Sequence, residues 1–371
     1  MNRVLPLLTF VWLLATTLTL DAEARNRPFK QIAITFDDLP VISSTIRDLE
    51  GHNQITTRLL KSISLNNVPA IGFVNEDKLL SGGELDEARV ALLQKWLDAG
   101  LELGNHTFSH LDLHTSPLPV YQEDVIRGET ATSQLLRNRG AKLRYFRHPY
   151  LHTGRNIETK EKFEKFLAAR GYRVAPVTMI NSDWIFAAAY ERALARGDTR
   201  LRKRIAEAYV PYTERIFDYF ERQSVDLFGY GVSQVLLLHA NLLNADYFGD
   251  LVQMMRRRDY TFVTLDQALQ DKAYESLDTY AGLGGISWLH RWVITKGGKS
   301  RIFPDDLIVT EAVIKQSAST SPQLPGPLRK IIIKFGLLHI LVGAVLLLLL
   351  LPLLCVQSKR AFRPWKGKPL G

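Results

Sequence analysis

Short apolar runs alternate with amphipathic stretches along the middle of the chain. Runs short enough for buried strands occur at 32–36, 70–74, 101–103, 143–146, 172–177, 234–238 and 260–265. Helical periodicity occupies 85–97, 121–137, 157–169 and 247–257, and a long polar and alanine-rich stretch, 186–223. Strand–helix alternation implies a parallel sheet. We therefore predict an α/β fold, a distorted TIM-like (β/α)7 barrel, with an open doubly wound sheet as the alternative.

Longer apolar segments lie near both ends of the sequence. Residues 4–20 follow a basic start and precede Ala22-Glu23-Ala24, a pattern that signal peptidase cuts. This predicts a signal peptide over 1–24, with an uncleaved anchor as the alternative. Residues 335–356 are long enough to cross a bilayer, and the tail 357–371 is basic without an acidic residue. We predict one C-terminal transmembrane helix at 335–356 and a cytoplasmic tail.

These segments define the expected domain organisation. A catalytic domain is predicted over 25–273, followed by an extension and Pro/Ser-rich tether over 274–334. Within this extension, the Gly- and Trp-rich residues 282–292 are expected to pack back onto the domain. The predicted location is the inner (plasma) membrane, with the domain on its periplasmic or extracellular side.

Charge and cysteine content narrow the functional classes. The chain has a formal net charge of +9 and a single cysteine, Cys355. An intrachain disulfide is impossible, so the hydrophobic core alone must stabilise the domain. A basic outward-facing surface favours anionic cell-wall polymers or lipid headgroups. Nucleic acid is not an expected partner at that location, and the sequence does not identify any protein partner.

Acid, base and imidazole groups follow five of the predicted strands. They are Asp37 and Asp38 after the first strand, His106 and His110 after the third, Arg147 and Tyr150 after the fourth, Asp183 and Trp184 after the fifth, and His239 at the end of the sixth. In parallel barrels, catalytic groups lie at the carboxyl ends of the strands. A random distribution would place some of these groups at strand starts, so the pattern predicts one active site at this edge.

Two of these groups have the spacing of metal ligands. His106 and His110 are four residues apart, which would place both imidazoles on one face of a helical turn. Alone, such a pair is more often two surface histidines, but the neighbouring pair Asp37-Asp38 changes the balance. Two imidazoles and one carboxylate suit Zn²⁺, or Co²⁺ or another divalent ion. The second carboxylate is then free to act as a general base.

Five short motifs occur in an order that resembles a known enzyme family. They are Thr35-Phe36-Asp37-Asp38, His106-Thr107-Phe108-Ser109-His110, Arg147-His148-Pro149-Tyr150, Ser182-Asp183-Trp184 and Leu237-Leu238-His239. The sequence from about 30 to 270 resembles the polysaccharide deacetylase family, also called the NodB homology domain or carbohydrate esterase family 4. The fourth motif departs from the commonest pattern, because it opens a long helical stretch rather than a compact loop.

The resemblance implies a role for each matching residue. These roles are Asp37 as general base, Asp38 with His106 and His110 as metal ligands, Arg147 as the partner of Asp37, the backbone N–H of Tyr150 as an oxyanion donor, His239 as general acid, Asp183 as its orienting partner, and Leu237 as part of the acetyl pocket. Trp184 is expected to form a wall of the site, although a core tryptophan fits its position equally well. His114, His148 and His152 are interpreted as surface or supporting residues, and Asp112 as a turn residue.

The resemblance implies a metal-dependent hydrolase that removes N-acetyl groups from amino sugars. The expected substrate is a cell-envelope glycan such as peptidoglycan or an exported polysaccharide. A deacylase or deformylase of a lipid-linked amino sugar is one alternative. A non-catalytic carbohydrate-binding protein on the same barrel is the other.

Overall fold

A parallel β-sheet runs through residues 30–298, the part of the chain that a computed structural model describes. The strands are β1 (Lys30–Leu39), β2 (Ala70–Val74), β3 (Leu80–Ser81), β4 (Glu84–Leu85), β5 (Glu102–Asn105), β6 (Tyr145–Phe146), β7 (Arg173–Val174), β8 (Met179–Ile180), β9 (Gln234–His239) and β10 (Tyr260–Phe262). The hairpin of β3 and β4 is antiparallel, and the other strands pair in parallel.

The helices alternate with these strands. They are α1 (Leu49–Leu65), α2 (Glu87–Asp98), α3 (Leu118–Arg127), α4 (Thr130–Arg137), α5 (Ile157–Ala169), α6 (Asp183–Ala195), α7 (Thr199–Phe228), α8 (Leu242–Arg257), α9 (Leu265–Ala268) and α10 (Trp288–Thr295). Among residues 30–298, no helix is both long enough and apolar enough to cross a membrane. The predicted signal peptide, transmembrane helix and basic tail lie outside the described residues.

The order of the strands forces the sheet to curl. Along the sheet the order is β7, β6, β5, β2, β1, β9, β8, so β7 and β8 are its two edges. A flat sheet of this width would separate its edges by roughly 29 Å. The chain from Val174 to Met179 can span at most about 18 Å. One short segment therefore joins both edges, so the sheet curls into a distorted barrel in which the described edge strands, β7 and β8, do not pair with each other.

This closure differs from the predicted ring of seven strands. The apolar run at 172–177 forms only one short strand, β7, and a further short strand, β8, follows it after residues 175–178. Pro176 lies in this gap, and proline lacks the N–H that a continuous ladder needs. The seventh predicted strand, β10, pairs only with the start of β1. The parallel α/β barrel is confirmed in outline, whereas the (β/α)7 count is wrong.

Strand β1 shows how the sheet separates its two faces. Ile34 and Phe36 belong to the core shared with the helices, and Phe36 makes edge-to-face contacts with Trp96 (5.7 Å) and Phe248 (5.4 Å). Ala33 belongs to the separate cluster inside the barrel. Side chains of a strand alternate between faces, so Asp37 continues the inward series of Ala33.

Two predicted helices are each divided. The stretch 121–137 forms α3 and α4 with a break at Gly128, where a Cβ atom would lie 2.5 Å from the backbone of Thr107 and Phe108. The absence of a side chain thus lets the loop after β5 pack on the end of α3. The stretch 186–223 forms α6 and α7, separated by Arg196–Asp198. Helix α1 was not predicted.

A substitution at Glu76 tests how α4 is attached to the barrel. Its buried carboxylate accepts hydrogen bonds from the backbone N–H groups of Ala131 (2.9 Å) and Thr132 (2.7 Å) at the start of that helix. Glu76→Ala is expected to lower the free energy of unfolding by about 2–3 kcal/mol, because two buried donors lose a charged acceptor. Urea unfolding measures this change. The exposed Glu84→Ala is the control, and an equal effect of both substitutions would contradict the prediction.

Candidate active site

The predicted site residues converge at the carboxyl edge of the barrel. A cavity of about 700 Å³ opens there. Its lining includes Asp37, Asp38, His106, His110, Tyr150, Trp184, Leu237 and His239. Arg147 and Asp183 lie behind this wall, each fully buried and bonded to a lining residue. All ten predicted residues therefore belong to one site.

Asp37 is buried and paired with a buried arginine. Arg147 Nη1 donates to the two carboxylate oxygens of Asp37 at 3.1 and 3.3 Å. The same guanidinium donates through Nε to the Ala175 carbonyl (2.9 Å) and through Nη2 to the Thr35 hydroxyl (3.1 Å). Burial raises the pKa of Asp37 to about 6, although the charges of Arg147 and His239 act in the opposite direction. Asp37 is thus a carboxylate of fixed orientation that can take up a proton near neutral pH.

Asp38, His106 and His110 offer three ligand atoms that all lie within 4.8 Å of one another. His106 Nδ1 donates to the Arg147 carbonyl at 2.8 Å, which leaves Nε2 as the free acceptor. His110 Nε2 lies 3.7 Å from Asp38 Oδ1. Burial lowers the pKa of both imidazoles, so both rings are neutral at pH 7. Two neutral imidazoles and one carboxylate form a donor set that fits Zn²⁺ or a similar divalent cation.

A loop, not a helical turn, brings the two histidines together. Strand β5 ends at Asn105, and Thr107 (φ 65°) and His110 (φ 55°) both have left-handed backbone. Asp124 of α3 accepts hydrogen bonds from the backbone N–H of Ser109 (3.0 Å) and from its hydroxyl (2.8 Å). The prediction of a helical turn over 106–110 is wrong, although the two imidazole rings do lie 4.9 Å apart.

Asp183 orients His239 and keeps it charged. The buried carboxylate accepts hydrogen bonds from the backbone N–H and from Nδ1 of His239, both at 2.8 Å. Asn241 (3.1 Å) and Asn244 (2.7 Å) donate to the same carboxylate. Burial alone would lower the pKa of His239, but the charge of Asp183 and its hydrogen bond outweigh burial and raise the pKa to about 9. His239 Nε2 lies 4.0 Å from Asp38 Oδ2, so a charged imidazole stands beside the three ligand atoms.

Tyr150, Leu237 and Trp184 form part of the cavity wall. The Tyr150 ring meets the His110 ring edge to face at 4.6 Å. Leu237 is buried on β9, whereas Tyr150 and Trp184 are each 56% exposed. Leu237 therefore belongs to the inner wall, and the two aromatic rings lie at the opening. The exposure of Trp184 excludes its alternative interpretation as a core tryptophan.

Two further residues of the site, Lys78 and Asn75, follow β2 and are not among the predicted site residues. Lys78 Nζ donates to the carbonyl (3.0 Å) and to Oδ1 (3.1 Å) of Asp38, a residue with left-handed backbone (φ 68°). Burial alone would raise the pKa of Asp38, but the charges of Lys78, His110 and His239 hold it below its usual range. Asn75 Nδ2 donates to the His106 carbonyl at 2.6 Å. No motif marks either residue, and the signal in the sequence that points to them is their position after β2, whose carboxyl end lies at the same edge of the sheet.

A second group of possible ligands, Asp112, His114 and His152, lies in the neighbouring loops. His152 Nδ1 is 2.7 Å from Asp112 Oδ1, and Asp112 Oδ1 also accepts from the His114 backbone N–H at 2.8 Å. The rings of His114 and His152 stack at 3.8 Å with 7° between their planes. These contacts hold the two loops together, and the three side chains each offer a ligand atom within 4.8 Å of the others. His148 is buried against Phe146 and Phe163.

A family model matches part of the sequence. Residues 24–168 match the model described as polysaccharide deacetylase. This range contains the first three motifs, and Asp183 and His239 lie beyond it. The resemblance that the motifs predicted is confirmed. This part of the chain is therefore similar to the polysaccharide deacetylase family.

Several solved structures are similar in part. A T48 deacetylase with substrate is 21% identical, with a TM-score of 0.40, over 65% of this chain and 92% of that chain. A family 4 carbohydrate esterase from Streptomyces lividans in complex with acetate is 18% identical, with a TM-score of 0.40, over 62% and 90% of the two chains. The peptidoglycan deacetylase PdaC from Bacillus subtilis is 20% identical, with a TM-score of 0.40, over 65% and 90%.

Proposed function

We propose that this protein hydrolyses the N-acetyl groups of amino sugars in a cell-envelope glycan, using a divalent cation held by Asp38, His106 and His110. One observation carries the proposal. A buried carboxylate with a pKa of about 6, Asp37, lies 3.7 Å from the candidate ligand His106, and an imidazole with a pKa of about 9, His239, lies 4.0 Å from the candidate ligand Asp38. One group can accept a proton at neutral pH while the other can donate one, as amide hydrolysis requires.

Each residue has a defined task in the proposed reaction. Asp37, oriented by Arg147, takes a proton from water while the water oxygen forms a bond with the amide carbon. His239 gives the Nε2 proton to the amide nitrogen as the carbon–nitrogen bond breaks, which leaves acetate and a free amine. The backbone N–H of Tyr150 donates to the negatively charged oxygen that develops. A bound divalent cation would polarise the carbonyl group and lower the pKa of the attacking water.

The site and the sequence together favour an extended substrate. The aromatic rings of Tyr150 and Trp184 lie half-exposed at the opening of the cavity. Aromatic faces pack well against the apolar faces of sugar rings. The predicted signal peptide and transmembrane helix support a location at the inner membrane, with the domain outside. There the domain would meet peptidoglycan or an exported polysaccharide. We propose either of these polymers as the substrate and Zn²⁺ as the metal.

Metal removal and return test the proposed function. We expect the purified full-length chain to release acetate from N-acetylglucosamine oligomers or peptidoglycan, to lose this activity with a chelator, and to regain it with Zn²⁺ or Co²⁺. His110→Asn should need a higher metal concentration, because it removes one of three ligands. His52→Asn, on α1, is the matched control and should behave as the unchanged protein. Free amine and acetate are both measured.

Other outcomes separate the alternatives. Release only from a prenyl-linked amino sugar would favour the lipid-linked substrate, and release of formate would identify a deformylase. Sugar binding without turnover in any metal would overturn the enzymatic proposal and favour a carbohydrate-binding protein.

A further inference from the structure

The loop that carries Tyr150 has an unfavourable backbone. Tyr150 (φ 57°) and Leu151 (φ 55°) are consecutive non-glycine residues in the left-handed region. Such conformations persist only where the surrounding structure holds them. Residues 278–292, which we call the C-terminal strap, supply contacts that hold this loop. The strap lies beyond the range of the matched family model.

Arg291 of the strap bonds directly to the loop. Its side chain is fully buried, and Nη2 donates to the Leu151 carbonyl at 2.6 Å while Nη1 donates to the Thr153 hydroxyl at 2.9 Å. The guanidinium also packs over the Trp288 ring, 4.0 Å from its centre. The rigid fork of a guanidinium can make these bonds at once, which a lysine cannot. Two polar groups of the loop are therefore tied to one side chain.

A buried ionic network fixes Arg291 in turn. Asp278 Oδ2 lies 3.2 Å from Arg291 Nη1 and 2.8 Å from Lys160 Nζ on α5. Lys160 and Arg291 are both almost fully buried. Because buried charges are strongly unfavourable without partners, this network leaves Arg291 little freedom to move away from the loop.

Gly285 provides a second contact, independent of Arg291. A Cβ atom at this position would lie 1.7 Å from the Tyr150 carbonyl oxygen. The backbone of the strap thus rests directly on the backbone of Tyr150, and only glycine leaves enough room. Gly285 also lines the cavity.

The C-terminal strap is hydrogen-bonded to the segment between β7 and β8. Ser287 donates through its hydroxyl to the Thr178 carbonyl (2.6 Å), and the Trp288 N–H donates to the Val177 carbonyl (2.8 Å). Both acceptors lie in the gap between β7 and β8, where strand pairing leaves carbonyl groups unused. The strap therefore joins the closure of the barrel to the loop that carries Tyr150.

We propose that the C-terminal strap positions the Tyr150 backbone for catalysis, with Arg291 as the positioning residue. This proposal rests on the proposed function, because the Tyr150 N–H matters only if a negatively charged oxygen develops beside it. Arg291 does not touch the substrate. It acts through Leu151 and Thr153 on the direction of the preceding N–H group.

Two substitutions in the full-length chain test this proposal from opposite sides. Arg291→Met removes both bonds to the loop, and Gly285→Ala pushes against the Tyr150 carbonyl. We expect each to lower kcat on N-acetylglucosamine oligomers about tenfold to a hundredfold, since loss of one oxyanion donor reduces kcat by about a hundredfold or more. KM and metal content should change by less than about threefold. Arg291→Lys should restore little, whereas Arg258→Met, which breaks ion pairs with Asp218 and Glu221, should leave kcat unchanged.

The possible results distinguish a failure of this proposal from a failure of the proposed function. An unchanged kcat in folded Arg291→Met or in Gly285→Ala would overturn the proposal, and so would equal loss in kcat and metal content. Should Arg291→Met fail to fold, Gly285→Ala decides. Should the unchanged protein show no turnover, the proposed function fails by itself. Hydrogen exchange of residues 148–153 then decides whether the strap holds the loop, and exchange equal to that of the unchanged protein in both variants overturns that role.

Discussion

Asp37→Asn is expected to lower kcat by at least about a thousandfold while the protein stays folded and still binds metal. The amide has nearly the shape of the carboxylate but cannot take a proton from water, and a positioned general base contributes about a hundredfold to ten-thousandfold. We expect the contribution of Asp37 to lie at the upper end of this range, because both of its carboxylate oxygens already lie near Arg147 Nη1, at 3.1 and 3.3 Å. Acetate release under saturating substrate measures the loss.

Stability must be followed in the same variant, because Asp37 also neutralises a buried arginine. Breaking a buried pair by removing one partner destabilises by about 3–5 kcal/mol, and the remaining amide oxygen can still accept one hydrogen bond from Arg147. We therefore expect a lower melting temperature but a folded protein at 25 °C. Asp266→Asn, which replaces the acceptor of Tyr145 at a half-exposed site, is the control. A folded Asp37→Asn protein with more than a tenth of the original kcat would contradict Asp37 as the base.

Local patterns predicted most of the elements. The helix expected at 157–169 occurs with those bounds, because Asn156 caps its first turn and Gly171 follows its end. The break between β7 and β8 was not predicted, although Pro176 signalled it. Helix α1 is not among the predicted helices, although Asp48 caps its first turn. Both differences lie where a single residue, Pro176 or Asp48, breaks or starts an element.

The candidate site likewise has features that the sequence predicts and features that it does not. Residues directly after strands could be predicted, because parallel strands bring their carboxyl ends to one edge. The mutual geometry of the two histidines could not, since it depends on left-handed residues and on Asp124 in another helix. Arg291 lies 140 residues after the Leu151 carbonyl to which it binds. No local pattern encodes a contact of that separation, and only the folded chain reveals it.

Asp183→Asn is expected to move the alkaline limb of the pH–rate profile to lower pH and to reduce kcat at pH 8 by about a hundredfold. In the unchanged protein the charge of Asp183 opposes burial and raises the pKa of His239 to about 9, so His239 is mostly protonated at pH 8. Without that charge, burial dominates and lowers the pKa of His239. The neutral ring then has no proton to give to the leaving nitrogen.

A bound metal ion shifts both limbs of the pH–rate profile. A cation held by Asp38 lowers the pKa of both Asp37 and His239. In the metal-loaded protein the acidic limb, set by Asp37, therefore lies at or below about 6, and the alkaline limb, set by His239, lies at or below about 9.

Asn241→Ala separates the effect of charge from that of hydrogen bonding. Asn241 donates to the same carboxylate at 3.1 Å but carries no charge. Its loss should reduce stability and leave the alkaline limb in place. Comparing the kcat profiles of the two variants from pH 5 to pH 10 therefore isolates the charge of Asp183. An alkaline limb that stays in place in Asp183→Asn would mean that His239 does not supply the proton, and the general acid would have to be sought elsewhere in the cavity.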